Sequence, residues 1–172
     1  TEHAAIHSSP SRNRIGLLAG YGRFPMYFAE AAQRTGLHVV CAAVRGSASS
    51  ELAAAVDSFH WVGVAKLGKT IRTFQRAGVD KVVMAGKVAK AQIYAPWRLF
   101  RYLPDWRFLR FYFSPSRRNN KDDSLLLGII GEFNRDGIEI VSALDFCPEL
   151  LVKAGCCTRR RPTKPEVLDI EF

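Results

Sequence analysis

The chain has 172 residues, the span of one ordinary domain with at most a fragment of a second, which excludes two complete large domains. With 48% apolar, 11% aromatic and 24% charged residues it has enough apolar surface to bury a core and lacks the composition of a disordered chain. The 25 Lys and Arg against 16 Asp and Glu leave a net charge of +9, a field that favours anionic partners such as nucleotides, phospholipid headgroups or nucleic acid.

Cys41, Cys147, Cys156 and Cys157 have neither the density of a secreted disulfide framework nor the paired two-residue spacing of a structural zinc site, which fits a reducing compartment. Residues 1–14 are polar and lack the apolar stretch of a signal peptide, and no run of about 18 apolar residues follows. The expectation is a soluble or membrane-peripheral protein. The chain opens on Thr1 rather than Met, which points to a trimmed terminus.

After a tail over residues 1–13, the apolar run 15–19 stops at Gly20, and Pro25 opens an Ala-rich stretch that reaches Gly36. This predicts strand, tight turn and helix, with Pro in the first helical turn and Gly past its end. A second buried strand is predicted over 38–44, a short helix over 49–56 with a serine N-cap, and a weak strand over 58–62. Leu67, Ile71 and Phe74 are at helical spacing before Gly78, and residues 81–85 form a fourth apolar strand ending at Gly86. Residues 94–118 interrupt the pattern. A helix then starts at Lys121 and stops near Gly137, a fifth strand covers 138–143, and a short helix follows over 148–153. Apolar strands joined by helical crossovers predict a Rossmann-like, doubly wound α/β domain with a mostly parallel sheet of about five strands. Residues 15–19, 39–44 and 82–85 are its central strands.

Gly20-Tyr21-Gly22-Arg23-Phe24-Pro25 follows a strand and opens a helix, the context in which backbone N–H groups and the helix dipole bind phosphate. Pro25 replaces the third glycine of a dinucleotide fingerprint, and Arg45 follows the second strand where an NAD site prefers an acid. Arg45 would suit a ribose phosphate, so an NADP-binding module is one alternative; a bare tight turn is another. Gly63 to Thr70 matches the phosphate-loop pattern letter for letter, but the strand ending at Gly86 has no acid to hold magnesium, which argues against an NTPase. Lys87, at the carboxyl end of a central strand, is a candidate phosphate ligand or a solvated lysine. Lys121-Asp122-Asp123 opens a helix, where a carboxylate caps N–H groups or, paired, holds Mg²⁺ or a water. His38 and His60 lie on strands without acidic neighbours in sequence and read as core residues.

Tyr94 to Arg118 contains nine of the 19 aromatic residues and six arginines against one acid, Asp105. Such interleaving suits base stacking, an anionic membrane or an acylated phosphate ligand, while its commoner outcome is aromatics in the core with arginines solvated. An RNA-binding basic domain is therefore a second alternative.

In order, residues 15–25, 62–69 and 82–88, Lys121-Asp122-Asp123 and Pro148-Glu149-Leu150-Leu151 resemble the N-terminal domain of the LpxI-type UDP-2,3-diacylglucosamine pyrophosphatase family. The series spans nearly the whole chain, and that family has a similar glycine and lysine turn at 62–69 without being an NTPase. The resemblance implies a Mg²⁺-dependent hydrolase of lipid A synthesis that cleaves the UDP-sugar lipid into an acylated sugar 1-phosphate and UMP. It implies an N-terminal domain over 14–150, the opening of a truncated C-terminal domain over 151–172, and little activity for the isolated chain. Gly20, Tyr21, Gly22, Arg23, Gly86, Lys87 and Lys121 would bind substrate, and Asp122 and Asp123 would be catalytic and hold the metal. The implied setting is the cytoplasm, with peripheral association to the inner membrane. The implied partners are the missing domain and an anionic membrane surface, with room for a homo-oligomer and no role for nucleic acid. Part of residues 94–118 should then be exposed near the cleft, with Trp97 or Trp106 available to lipid and several of Arg98, Arg101, Arg107 and Arg110 facing solvent.

Overall fold

The structure is a computed structural model that describes residues 13–88, 105–112, 122–148 and 159–171. In chain order it comprises β1 (Arg14–Ala19), α1 (Phe24–Arg34), β2 (His38–Val44), a 3-10 turn (Ser50–Ala54), β3 (Ser58–Val62), α2 (Leu67–Arg76) and β4 (Lys81–Ala85). These are followed by α3 (Trp106–Tyr112), α4 (Asp122–Arg135), β5 (Glu139–Val141), a second 3-10 turn (Ala143–Asp145) and α5 (Lys164–Glu171).

The five strands form one sheet in the order β3-β2-β1-β4-β5, and every neighbouring pair is parallel. Leu17 at the centre of β1 is in register with Cys41 of β2 and Val83 of β4. Strands β1, β2 and β4 are near-continuously apolar because both faces of a parallel sheet are covered. The chain moves outward in one direction from β1 to β3 and in the other from β4 to β5. The order therefore reverses between β1 and β4, and open α/β sheets collect ligands outside the carboxyl ends at such a point.

Two apolar layers sandwich the sheet. Phe28, Ala29 and Ala32 of α1, with Leu52, pack on Leu17, Cys41 and Val83. On the opposite face Ile71 and Phe74 of α2, Phe108 of α3 and Phe133 of α4 pack on Val40, Val62 and Val82. Burial pushes the Cys41 thiol up to about 12.

Three local expectations change. The helix over 49–56 is only a 3-10 turn, although Ser49 does cap it by accepting the Glu51 N–H at 3.2 Å. The strands over 58–62 and 138–143 are the two sheet edges, the second shortened to Glu139–Val141. His38 has an acidic neighbour in space: its Nδ1 lies 3.6 Å from Asp57, whose other oxygen accepts the Val39 N–H at 2.7 Å, while His60 is exposed. The helix over 148–153 lies almost wholly outside the described residues.

Arg107 is also not the solvent-facing arginine expected from its sequence neighbourhood. Its Nε donates to Glu132 Oε2 at 2.7 Å, one terminal nitrogen donates to the Glu132 carbonyl at 2.9 Å, and the other pairs with Asp136. Glu132 is buried and also takes Arg135 of its own helix, so α4 holds α3 through Arg107, which binds Glu132 and Asp136 together. Such a fork matches guanidinium geometry, and a lysine could not reproduce it.

At the start of α5 Glu166 reaches back to Thr163, the glutamate half of a capping box, and also takes an arginine. The Thr163 N–H and hydroxyl both donate to Glu166 Oε2, at 2.7 and 3.0 Å, and Arg160 grips the same carboxylate through both terminal nitrogens. Arg160 first, then the Thr163 N–H and hydroxyl, lower the Glu166 pKa to about 2. A lowered folded-state pKa means the cap is fully present above the ordinary glutamate range and is lost as pH falls through the folded value. In a carboxyl-detected NMR titration, Glu166 should therefore stay ionised below pH 4 and titrate near 2, with amide shifts of residues 163–167 moving in step; Glu166→Gln should abolish that step.

Candidate functional site

At the β1/β4 reversal the two departing loops are stitched together. The Gly20 N–H donates to the Ala85 carbonyl at 2.8 Å, the Tyr21 N–H to the Lys87 carbonyl at 2.7 Å, and the Lys87 N–H to the Tyr21 carbonyl at 2.8 Å. Tyr21 and Lys87 thus form a one-rung antiparallel bridge beyond the ends of two parallel strands. A Cβ on Gly20 would lie 2.6 Å from the Lys87 carbonyl oxygen, and one on Gly86 would lie 2.7 Å from that of Tyr21. Both glycines serve this close approach, and Gly86 also needs its positive φ of 86°. The N–H groups of Gly20, Tyr21 and Lys87 are consumed by the bridge. The groups left to meet a ligand are the exposed side chains of Tyr21 and Lys87 and the first turn of α1.

No side chain caps that turn. Met26 and Tyr27 donate to the Arg23 carbonyl and Pro25 has no N–H, so of its first four positions only Phe24 keeps an N–H for a ligand, and the first turn has no acid. Gly22, with φ of 116° and nothing within 4 Å of a Cβ, lets the loop turn into the helix. Beside it a cavity of about 460 Å³ is lined by Tyr21, Gly22, Arg23, Tyr27, Ser49 and Glu51, among others. The Arg23 guanidinium sits 5.4 Å from the Tyr27 ring centroid, which holds a cation at the rim.

The second helix N-terminus at this edge, that of the phosphate-loop-like stretch, is occupied from within. Asp105 Oδ2 accepts the Lys69 N–H at 3.1 Å, and its Oδ1 accepts the Phe108 N–H at 2.8 Å, so one carboxylate caps both α2 and α3. The Asp105 N–H in turn donates to the Ala65 carbonyl at 3.0 Å. An aspartate stands where an NTPase would place phosphate, and the motif is spent on the fold. In sequence Asp105 appears only as the single acid among arginines; its place just before Trp106 is the usual N-cap signal.

A second cavity, of about 260 Å³, lies on the α2, α3 and α4 face at the carboxyl edge, and Gly20 and Gly86 form part of its wall. Sequence reasoning missed it, because Leu18, Met84 and Phe108 converge there from three separate segments. Asp122 and Asp123 open α4, one turn before Leu126 of the cavity wall, which puts their backbone at the same edge of the sheet. Their side chains, together with Lys121, Trp97, Arg98 and Arg101, lie outside the described residues. Among the described residues no group of three His, Cys, Asp or Glu side chains could hold a metal ion. Trp106 is 79% exposed, Arg110 is exposed, and Arg45 lies 5.8 Å from the Trp61 ring centroid.

Two substitution series test this geometry by urea unfolding. Gly22→Ala should cost about 1–2 kcal/mol, the strain of a positive φ with no clash, whereas Gly86→Ala adds a backbone collision and should cost more than that. Asp105→Ala should cost about 1–2 kcal/mol for two lost caps, Asp105→Asn less, and neither should hydrolyse ATP.

Comparison with known proteins bears on what this arrangement serves. Residues 14–150 match the family model described as the LpxI N-terminal domain. A curated relative, the UDP-2,3-diacylglucosamine pyrophosphatase LpxI of Caulobacter vibrioides, is 27% identical over 161 residues, covering 92% of this chain and 54% of its own length. The chain thus spans about half of that relative. A solved structure of the Bordetella bronchiseptica enzyme WbmH in complex with NAD⁺ matches at 13% identity with a TM-score of 0.43, covering 76% of this chain and 55% of that one, a likeness that transfers nothing about ligands. With the family model covering the strand reversal, its glycine loops and every strand of the sheet, the chain belongs to the LpxI N-terminal domain family.

Proposed function

We propose that this chain is the N-terminal half of an enzyme that hydrolyses UDP-2,3-diacylglucosamine, adding water across the pyrophosphate to release UMP and the acylated sugar 1-phosphate in lipid A synthesis. Beyond family membership, the observation that carries this reading is the contrast between the two helix N-termini at the carboxyl edge. One is filled by Asp105 and the other, at α1, has no side-chain cap and lies beside Tyr21, Arg23 and Lys87. An uncapped helix N-terminus with Arg23 in the cavity wall and Lys87 on the adjoining loop suits the phosphates of a nucleoside diphosphate, and Glu30 and Glu51 in the same wall suit its hydroxyl and N–H donors.

In this reading Gly20, Gly22 and Gly86 shape the loops, and Tyr21, Arg23, Lys87 and Lys121 bind the UDP-sugar. Asp122 and Asp123 are the catalytic and Mg²⁺-holding pair. Two carboxylates supply at most part of the octahedral oxygen set that Mg²⁺ takes, so substrate phosphates, water or groups from the other half of the enzyme complete it. Hydrolysis needs groups from both sides of a cleft, so the 172-residue chain by itself has little turnover. Exposed Trp106 and Arg110 are the kind of pair that sits at an anionic membrane interface, which supports peripheral association with the inner membrane from the cytoplasmic side. No helix among the described residues is long and apolar enough to cross a membrane.

Calorimetric titration of the chain with UDP-N-acetylglucosamine, NADP and ATP tests the proposal. The UDP-sugar should bind selectively, and Arg23→Ala and Lys87→Ala should each weaken it roughly five- to tenfold, the loss of one partly solvated charged hydrogen bond. Selective NADP binding would overturn the reading in favour of a dinucleotide module.

A further inference from the structure

Resting on the acylated-substrate reading above, we infer that the 260 Å³ cavity between the sheet and helices α2, α3 and α4 takes a single alkyl chain, one acyl tail of the lipid. Its wall is built by Leu18, Val44, Val62, Met84 and Phe108, with Leu126 at the rim, 48% exposed. The only polar side chain among the described lining residues is Thr70, and its hydroxyl already donates to the Lys66 carbonyl at 3.0 Å. Water needs two to four polar partners to stay in such a space, and the described part of this wall offers almost none. An apolar cavity of roughly 150 Å³ holds a benzene-sized guest, so this one suits something longer and equally apolar.

Its position supplies the rest of the argument. Gly20 and Gly86 border this cavity, and Tyr21, Gly22 and Arg23 border the polar one on the α1 face. The Tyr21–Lys87 bridge lies between them. An amphipathic ligand laid across the strand reversal would find hydrogen-bonding groups on one side and hydrocarbon on the other, with a single seam dividing its two halves. The nucleotide end and the acyl end are thereby sorted to opposite faces of one sheet.

The test is a titration of the 172-residue chain, followed by methyl NMR on Val44, Val62, Met84 and Leu126, with alkanoates of 6 to 12 carbons below their micelle concentrations. Affinity should tighten roughly fourfold for each added methylene and level off once the cavity is full, with the shifts confined to those methyls. Leu126→Glu puts a charge at an exposed rim position that the fold tolerates and should weaken dodecanoate more than tenfold; Val62→Phe, which fills the space, should do the same. Binding without dependence on chain length, or unchanged binding in a folded Leu126→Glu variant, overturns the assignment. UDP titrated into the same wild-type chain reports separately. Alkanoate binding without UDP binding keeps the cavity and removes the nucleotide reading, and UDP binding without alkanoate binding does the reverse.

Discussion

The architecture hinges on two backbones that touch without side chains between them. Where the strand order of an α/β sheet reverses, two parallel neighbours part company at their carboxyl ends, because their loops leave for opposite faces. Here the absence of a Cβ at Gly20 and Gly86 lets the loops interlock through three backbone hydrogen bonds before they diverge. The seam closes the crevice between β1 and β4, so the side chains of Tyr21 and Lys87 and not the backbone of the reversal face outward there. It also keeps the polar hollow beside α1 apart from the oily one beside α2.

The charge of the chain is distributed with a similar economy. Where arginines are needed for the fold they are pinned: Arg107 to Glu132 and Asp136, Arg160 to Glu166. Removing Arg107 would leave the buried Glu132 carboxylate with the exposed Arg135 as its ion-pair partner, so this cluster ties α3 to α4 at a cost to break even though ion pairs as a class stabilise little. Arg23 and Arg45 are treated differently. Each lies over an aromatic ring, a contact that orients a guanidinium while leaving its hydrogen-bonding edge for something else.

Much of the fold was legible because parallel strands announce themselves. Residues 15–19, 38–44 and 81–85 are almost wholly apolar, and each stops at a glycine or an Arg-Gly pair, so their central place and parallel direction followed from the helical crossovers, while the strand order came only with the structure. The edges were less clear: Ser58 and His60 dilute β3, and the three residues of β5 are too few to distinguish from the end of a helix turn. The capping-box spacing of Thr163 and Glu166 is written in the local sequence, yet α5 was not anticipated, since its apolar positions form no stripe against a visible partner. At the site, spacing alone identified Gly20 and Gly86 but not their task. A glycine that admits a phosphate and a glycine that admits another backbone look the same in one dimension. The phosphate-loop match misleads for a related reason, because the carboxylate that fills it comes from 36 positions away.

That long reach gives the first turn of α2 an unusual history. Most helix caps come from the residue next door and form as the helix forms, but here the acceptor for the Lys69 amide arrives only after the chain has completed β4 and returned across the sheet. This cap therefore exists only while the segment around Asp105 is docked, whatever the helix propensity of residues 67–76. In the native protein the exchange rate of the Lys69 amide hydrogen reports how often that segment lifts away, while amides deeper in α2 report the opening of the sheet itself.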